Sequence, residues 1–303
     1  MKNSRFFLYL FLVLAMVCLV DILVSFSLEL MFKGRYDSRI QNAVERKAEI
    51  GIIGASRASH HYDSQLLEDS LNKTVFNYGI DGRNIYVHYA ILKKLIDNKE
   101  AIPNTILLDL SSVDIYDMHG YNKERLNILY PYYKDSTING ILNDLLDKPN
   151  LTSIKYSGLV RHNSNLLQYA KEWIKPVATT NKGFIPLQNK CDKNLDSAMN
   201  ETHKIDPEKI RYLKKFIEEC KDNHITLFLV SSPSLRVEKD KQWMNEIQNI
   251  AEEEGVSYLN YYNDPLFVNH KELFSDPDHL NQTGAIEFSN RLLQSVRPSL
   301  TPS

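Results

Sequence analysis

Residues Glu49–Arg57 read Glu-Ile-Gly-Ile-Ile-Gly-Ala-Ser-Arg, a short apolar run that ends in a glycine turn and is followed at once by a serine. A run of that length bounded by a turn suits a buried strand. Working outward, the same grammar repeats. Val75–Tyr78 (VFNY) is a second strand, followed by Gly79 and Gly82, and Ile85–Ile96 has helical spacing. Thr105–Leu110 (TILLDL) is a third strand, opened by Pro103-Asn104. Asp206-Pro207 starts a helix that runs to about Asp222, with the proline suited to the first turn. Ile225–Val230 (ITLFLV) is a fourth strand, Lys239–Glu254 a helix stopped by Gly255, and Val256–Tyr261 a fifth strand. A last helix starts near Thr283 and runs through Leu293. Alternating apolar strands and amphipathic helices predict a parallel sheet covered on both faces.

The stretch from about Asp117 to His203 breaks this rhythm. It is rich in Tyr, Asn and Lys, with helical pieces at Ile138–Leu146 and Asn163–Ile174. It reads as an insertion between the third and fourth strands, placed to form a lid or a substrate wall. Tyr130, Tyr132, Tyr133 and Tyr156 within it suit either packing or stacking on sugar rings.

Phe6–Phe32 is an apolar run long enough to cross a bilayer as a helix. No small-residue cleavage site follows it, which favours an uncleaved anchor. Asp21 interrupts the run, and a carboxylate there is costly unless it lies near an interface or meets a partner such as another membrane helix. Lys2 and Arg5 precede the run; Lys33, Arg35, Arg39, Arg46 and Lys47 follow it. Positive charge alone would keep the large domain inside, but a very short basic tail before a long domain favours export. The expected division is therefore 1–35 for tail and anchor, 36–47 for a polar connector, and 48–303 for the main domain, with the insertion at about 117–203. The protein is expected at a cell membrane, single-pass, with the large domain extracytoplasmic.

Hydrophobic residues make up 43% and charged residues 24% of the chain, a balance that excludes wholesale disorder. A net charge of -2 offers no basic face for nucleic acid. The three cysteines show no metal-ligand spacing. Cys191 and Cys220, the two outside the apolar run, form one disulfide or remain two thiols.

Chemistry is carried by two motifs. Gly54-Ala55-Ser56 places a serine at the carboxyl end of a strand, where open α/β sheets bind ligands. Phe274-Ser275-Asp276-Pro277-Asp278-His279-Leu280-Asn281 precedes the last helix. A serine needs a base to become a nucleophile, and a histidine base needs a carboxylate to orient it. Asp276 and His279, three apart, supply both. His60 and His61 lie close to Ser56 in sequence and are weaker candidates for the base.

In these blocks the chain resembles the SGNH, or GDSL-type, hydrolases. The resemblance covers about Glu49–Asp114 and Asp206–Val296, not the insertion. It implies a flavodoxin-like three-layer α/β/α sandwich with a five-stranded parallel sheet in the order 2-1-3-4-5. It also implies a nucleophile at Ser56, a base at His279 and an orienting Asp276. The oxyanion hole would use the backbone N–H groups of Ser56 and Gly82, with Gly79 the alternative to Gly82. The family's third block carries an asparagine donor; here Leu110-Ser111-Ser112-Val113-Asp114 has Val113 at that place, so either Ser111 or Ser112 substitutes, or the insertion supplies a donor, or catalysis is weak. Arg57 is a candidate substrate contact or, equally, an ordinary helix-surface charge; Asn281 is a candidate substrate contact that is better suited to cap the last helix. No metal and no organic cofactor are expected. The anchor and the resemblance together imply ester hydrolysis or acyl transfer on an acylated carbohydrate or cell-envelope polymer. By analogy, the chain resembles the branch that includes polysaccharide O-acetyltransferases and the D-alanyl transfer protein of teichoic acid synthesis. The alternative is a non-catalytic glycan-binding or accessory subunit that docks on a membrane acyltransferase.

Overall fold

The structure, a computed structural model, describes residues 2–35, 40, 46–99, 102–162, 182–191, 203–236 and 241–300. The chain forms two compact units, one of Met1–Asp37 with Leu126–Val177, the other of Ser38–Arg125 with Ala178–Ser303. This grouping cuts across the expected division, because the apolar N-terminal helix belongs with the middle of the insertion.

The larger unit is built on a parallel sheet. Among the described residues its strands are β1 (Ile50–Gly54), β2 (Val75–Asn77), β3 (Thr105–Asp109), β4 (Thr226–Ser231) and β5 (Ser257–Asn260). Their order is β2-β1-β3-β4-β5, all parallel, as the sequence reading expects. The register aligns Ile52 with Leu107 and Leu107 with Phe228, so these three side chains share one face. That face packs on Phe288, Leu292 and Val296 of helix Gln282–Leu300, which also covers helices Ser56–His61 and Ser64–Leu71. On the sheet's other side, helix Ile85–Asp97 packs against helix Pro207–Asp222, with Tyr86 and Tyr89 both edge-on to Tyr212. Asp206 caps the latter helix by accepting from Glu208 N at 2.8 Å, and Pro207 fills its first turn.

The smaller unit consists of helix Lys2–Arg35 and helices Ser136–Leu145, Lys148–Tyr156 and Gly158–His162. The span Ser4–Leu30, 27 residues with mean hydropathy 2.8, is long and apolar enough to cross a membrane. Asp21 has a partner inside this unit: its carboxylate accepts from the start of helix Gly158–His162.

Within the insertion, residues 117–125 and the stretch from Ala178 belong to the sheet unit, whereas 126–162 belong with the N-terminal helix. The helical piece read at Asn163–Ile174 and nearly all of the connector at 36–47 lie outside the described residues. Cys191 and Cys220 are buried and unlinked.

Candidate active site

In a parallel sheet every strand ends on the same edge, so the segment after each strand converges there. A cleft of about 380 Å³ opens on that edge. Its lining draws on all five strands: Ser56 after β1, Gly82 and Arg83 after β2, Ser112 and Val113 after β3, Arg236 after β4, and Tyr262 after β5. Asp278 and His279 come from the loop before the last helix.

Ser56 and His279 are 223 residues apart in sequence, yet His279 Nε2 lies 2.7 Å from Ser56 Oγ. The other ring nitrogen, Nδ1, lies 2.9 Å from both Asp276 carboxylate oxygens. Asp276 is itself held, accepting from Asp278 N at 2.8 Å and His279 N at 3.1 Å. Burial pushes the Asp276 carboxyl up, but the hydrogen bond and charge of His279 and those two N–H groups outweigh it and leave it below the usual carboxylate range. Asp276 is thus an ionised acceptor that sets Nδ1 as the N–H and leaves Nε2 as the acceptor toward Ser56.

The neighbouring histidines sort into other tasks. His60 points Nδ1 at Ile185 O (2.7 Å) and Nε2 at Asp81 (3.3 Å), with its ring edge-on to His279. His61 is fully buried, and its Nε2 accepts from Leu280 N at 3.0 Å. Burial first, then the charges of His279, Arg57 and His60, hold the His61 pKa well below the ordinary imidazole value. A neutral His61 therefore braces the loop that carries His279, and neither histidine contacts Ser56 as a base.

On the oxyanion side, Gly82 sits at φ 67, a left-handed conformation that glycine adopts without strain. Gly79, the alternative donor, has its N–H engaged, donating to Asn77 Oδ1 at 2.9 Å. Its missing side chain serves packing, since a Cβ there would come within 2.6 Å of Ser59 N. After β3, Ser111 is also engaged, donating its N–H (2.9 Å) and hydroxyl (3.0 Å) to the buried Asp114. Of the two serines expected to stand in for the missing asparagine, Ser112 is the one that faces the cleft without such a tie. Val113 lines the cleft as well, and its side chain has no donor.

Arg57 borders the cleft but is tied down beneath it, and Asn281 takes the cap that the sequence favours for it. Arg57 is 7% exposed and donates to Leu110 O (2.9 Å) and Ser232 O (3.3 Å), beside Asp109 at 3.6 Å. Its guanidinium ties the ends of β3 and β4 beneath the serine. Asn281 is 4% exposed; it donates to Glu272 O (2.7 Å) and accepts from Gly284 N (3.1 Å), capping the last helix. Of the insertion tyrosines, Tyr133 lies under the Arg161 guanidinium in the helical unit and Tyr156 is exposed there. Tyr121, from the start of the insertion, and Tyr262 line the cleft.

Lys209 was not legible as a site residue. It is completely buried and donates to Val113 O (2.9 Å), Tyr116 O (2.6 Å) and Tyr121 O (3.0 Å), holding the whole segment from Val113 to Tyr121. Asn84 assists, donating to Tyr121 O at 2.7 Å. A lysine in an amphipathic helix looks like a solvated charge in sequence, and nothing local marks this one. Arg236, paired with Asp278 at 2.5 Å on the cleft rim, was equally unmarked. Among the described residues there is no group of His, Cys, Asp or Glu side chains arranged to hold a metal.

A protein-family model matches residues 184–301 of this chain, the part that carries the Asp276/His279 loop. No curated protein matches the chain in sequence. Solved structures similar to it include a catalytic mutant of Axe2, an acetylxylan esterase from Geobacillus stearothermophilus (13% identity, TM-score 0.44, covering 84% of this chain and 97% of that one). Others are a GDSL-like lipase from Bacteroides thetaiotaomicron (11%, 0.40, 82% and 88%) and the esterase EstA from a Pseudoalteromonas species (10%, 0.40, 83% and 98%).

Proposed function

We propose that this chain is an SGNH-type serine hydrolase or acyltransferase, held at a cell membrane by its N-terminal helix. The observation that carries the proposal is the continuous relay from Asp276 through His279 Nδ1 and Nε2 to Ser56 Oγ, at the mouth of a cleft. Ser56 Oγ attacks the acyl carbonyl carbon as its proton passes to His279 Nε2. The protonated His279 then gives that proton to the leaving alcohol, which departs and leaves the acyl group on Ser56. Water, or a second hydroxyl, attacks the acyl-enzyme in the reverse sense; which of the two enters distinguishes hydrolysis from transfer. The backbone N–H groups of Ser56 and Gly82, with the Ser112 hydroxyl, face the developing oxyanion. Substrates are acylated carbohydrates or envelope polymers outside the cytoplasmic membrane, a reading supported by the apolar N-terminal span and by the resemblance in the sequence blocks.

A second reading has one observation in its favour: Val113 lines the cleft where a side-chain donor is expected, and Ser111 is tied to Asp114. It makes the chain a non-catalytic glycan-binding subunit of an envelope-modifying complex. The full-length protein in detergent, treated with a fluorophosphonate probe, separates the two. Labelling that disappears in both Ser56→Ala and His279→Ala supports the enzyme. A folded wild type that does not label overturns it and favours the binding subunit.

A further inference from the structure

The helical unit carries a polar stripe on its apolar helix. Asp21, Ser25 and Glu29 recur every four residues, which places them on one helix face. With Val24 and Leu28 they are the residues between 21 and 30 that are shielded from solvent, while the rest of that turn-by-turn pattern is exposed. Helix Gly158–His162 packs on this stripe, and Gly158 makes the approach close: a Cβ there would collide with the Ser25 side chain.

The contact leaves no donor of that short helix's first turn open. Gly158 N and Leu159 N donate to the Asp21 carboxylate at 3.2 and 2.9 Å. Val160 N donates to Ser157 Oγ (3.2 Å) and Arg161 N to Ser157 O (3.1 Å). The Ser157 hydroxyl in turn donates to Asp21 at 3.0 Å. Arg161, 6% exposed, donates to Ile154 O, Lys155 O and Glu29, and lies over the Tyr133 ring. The residues that face outward from this corner are Tyr156, Leu159 and Val160, exposed to 73%, 38% and 45%.

Helix ends in water leave their first N–H groups to solvent. Hydrocarbon offers no such partner, so every backbone donor must be satisfied within the protein. Satisfied first-turn donors, an Arg161–Glu29 ion pair, a hydrogen-bonded Asp21 carboxylate and outward apolar side chains together suit a lipid-facing segment. We propose that the corner Tyr156–His162 is a second membrane-inserted element, seated on the N-terminal helix, and that the occupant of its outer face is the lipid bilayer. The stripe from Asp21 to Glu29 spans about 12 Å of helix, and the whole Ser4–Leu30 span about 40 Å, against a hydrocarbon core of about 30 Å. With the span centred near Val17, the stripe runs from about 6 Å to about 18 Å off the midplane, so the corner sits in the outer hydrocarbon up to the membrane interface. Tyr156, an aromatic residue with a polar tip, suits that level. This assignment does not depend on acyl chemistry at Ser56.

The test uses the full-length chain carrying Cys18→Ser, in phosphatidylcholine vesicles doped with lipids that bear a nitroxide on the acyl chain. Single cysteines at Leu159→Cys and at Val160→Cys are labelled with the fluorophore NBD; Cys191 and Cys220 are buried. Phe11→Cys reports the span and Glu252→Cys, on an exposed helix surface of the sheet unit, reports water. Quenching at both 159 and 160 close to that at Phe11, and at least about twofold above that at Glu252, is expected for lipid-facing positions. Quenching at 159 and 160 no greater than at Glu252, while Phe11 is quenched, overturns the proposal. So does an unquenched Phe11, since the seat itself would then lie outside the bilayer.

Discussion

Asp276→Asn is the substitution that tests the relay most directly. The Asp276 carboxylate accepts from His279 Nδ1 at 2.9 Å and from the N–H groups of Asp278 and His279. An asparagine keeps one oxygen, which the two backbone donors claim. Its NH2 group is then left to face Nδ1, which must become an acceptor. The imidazole proton moves to Nε2, and Nε2 points at Ser56 Oγ as a donor instead of a base. Where a serine triad is given this wrong tautomer, turnover falls by about 10⁴-fold, or about 5.5 kcal/mol of barrier. The backbone donors remain paired, so the loop and the fold should persist. The assay is the rate constant of fluorophosphonate labelling at neutral pH, read beside the far-UV and near-UV spectra of the variant. A folded Asp276→Asn protein that labels within threefold of wild type would refute the reasoning, because orientation of His279 would then not depend on Asp276. Since Asp276 is held below the usual carboxylate range, its contribution to stability is present above the ordinary carboxylate pKa and is lost as pH falls through its own lower value.

Lys209→Met should destabilise the sheet unit by about 2–4 kcal/mol: three charge-assisted hydrogen bonds are lost, partly offset by no longer burying an ammonium. Urea unfolding measures this, and labelling should slow in the folded fraction because Val113 and Tyr121 are released; a change below about 0.5 kcal/mol would show that the three carbonyls are satisfied without it. His61 stays neutral in the folded state while an unfolded histidine takes up a proton below about pH 6.5. Folding stability should therefore fall as pH drops below that value, by up to about 1.4 kcal/mol per pH unit from this residue. His61→Gln, whose amide oxygen can still accept from Leu280 N, should flatten the acid limb of a stability-against-pH curve, and an unchanged limb would contradict a neutral His61.

The strands were legible because each is a short apolar run between turn residues, and a parallel sheet buried on both faces needs little else. Ser56, Asp276 and His279 were legible because their chemistry demands those side chains at the ends of strands and loops. For Asn281 the sequence favoured the cap over a contact, and the structure shows that cap through the Gly284 N–H. Arg57 read as a surface charge or a substrate contact, whereas the tertiary structure buries it between the ends of β3 and β4. Lys209 and Arg236 carried no local signal, because a lysine in an amphipathic helix and an arginine in a loop look solvated until another segment closes over them. Asp21 stood out in the sequence as a carboxylate in an apolar run, but its partner lies 136 residues away in Ser157. Local periodicity and turn chemistry act over a few residues, so the sequence by itself determined the strands, the glycine turns and the motif residues. Which buried charge meets which carbonyl depends on segments distant in the chain, and only the tertiary structure, by removing water from those groups together, decided it.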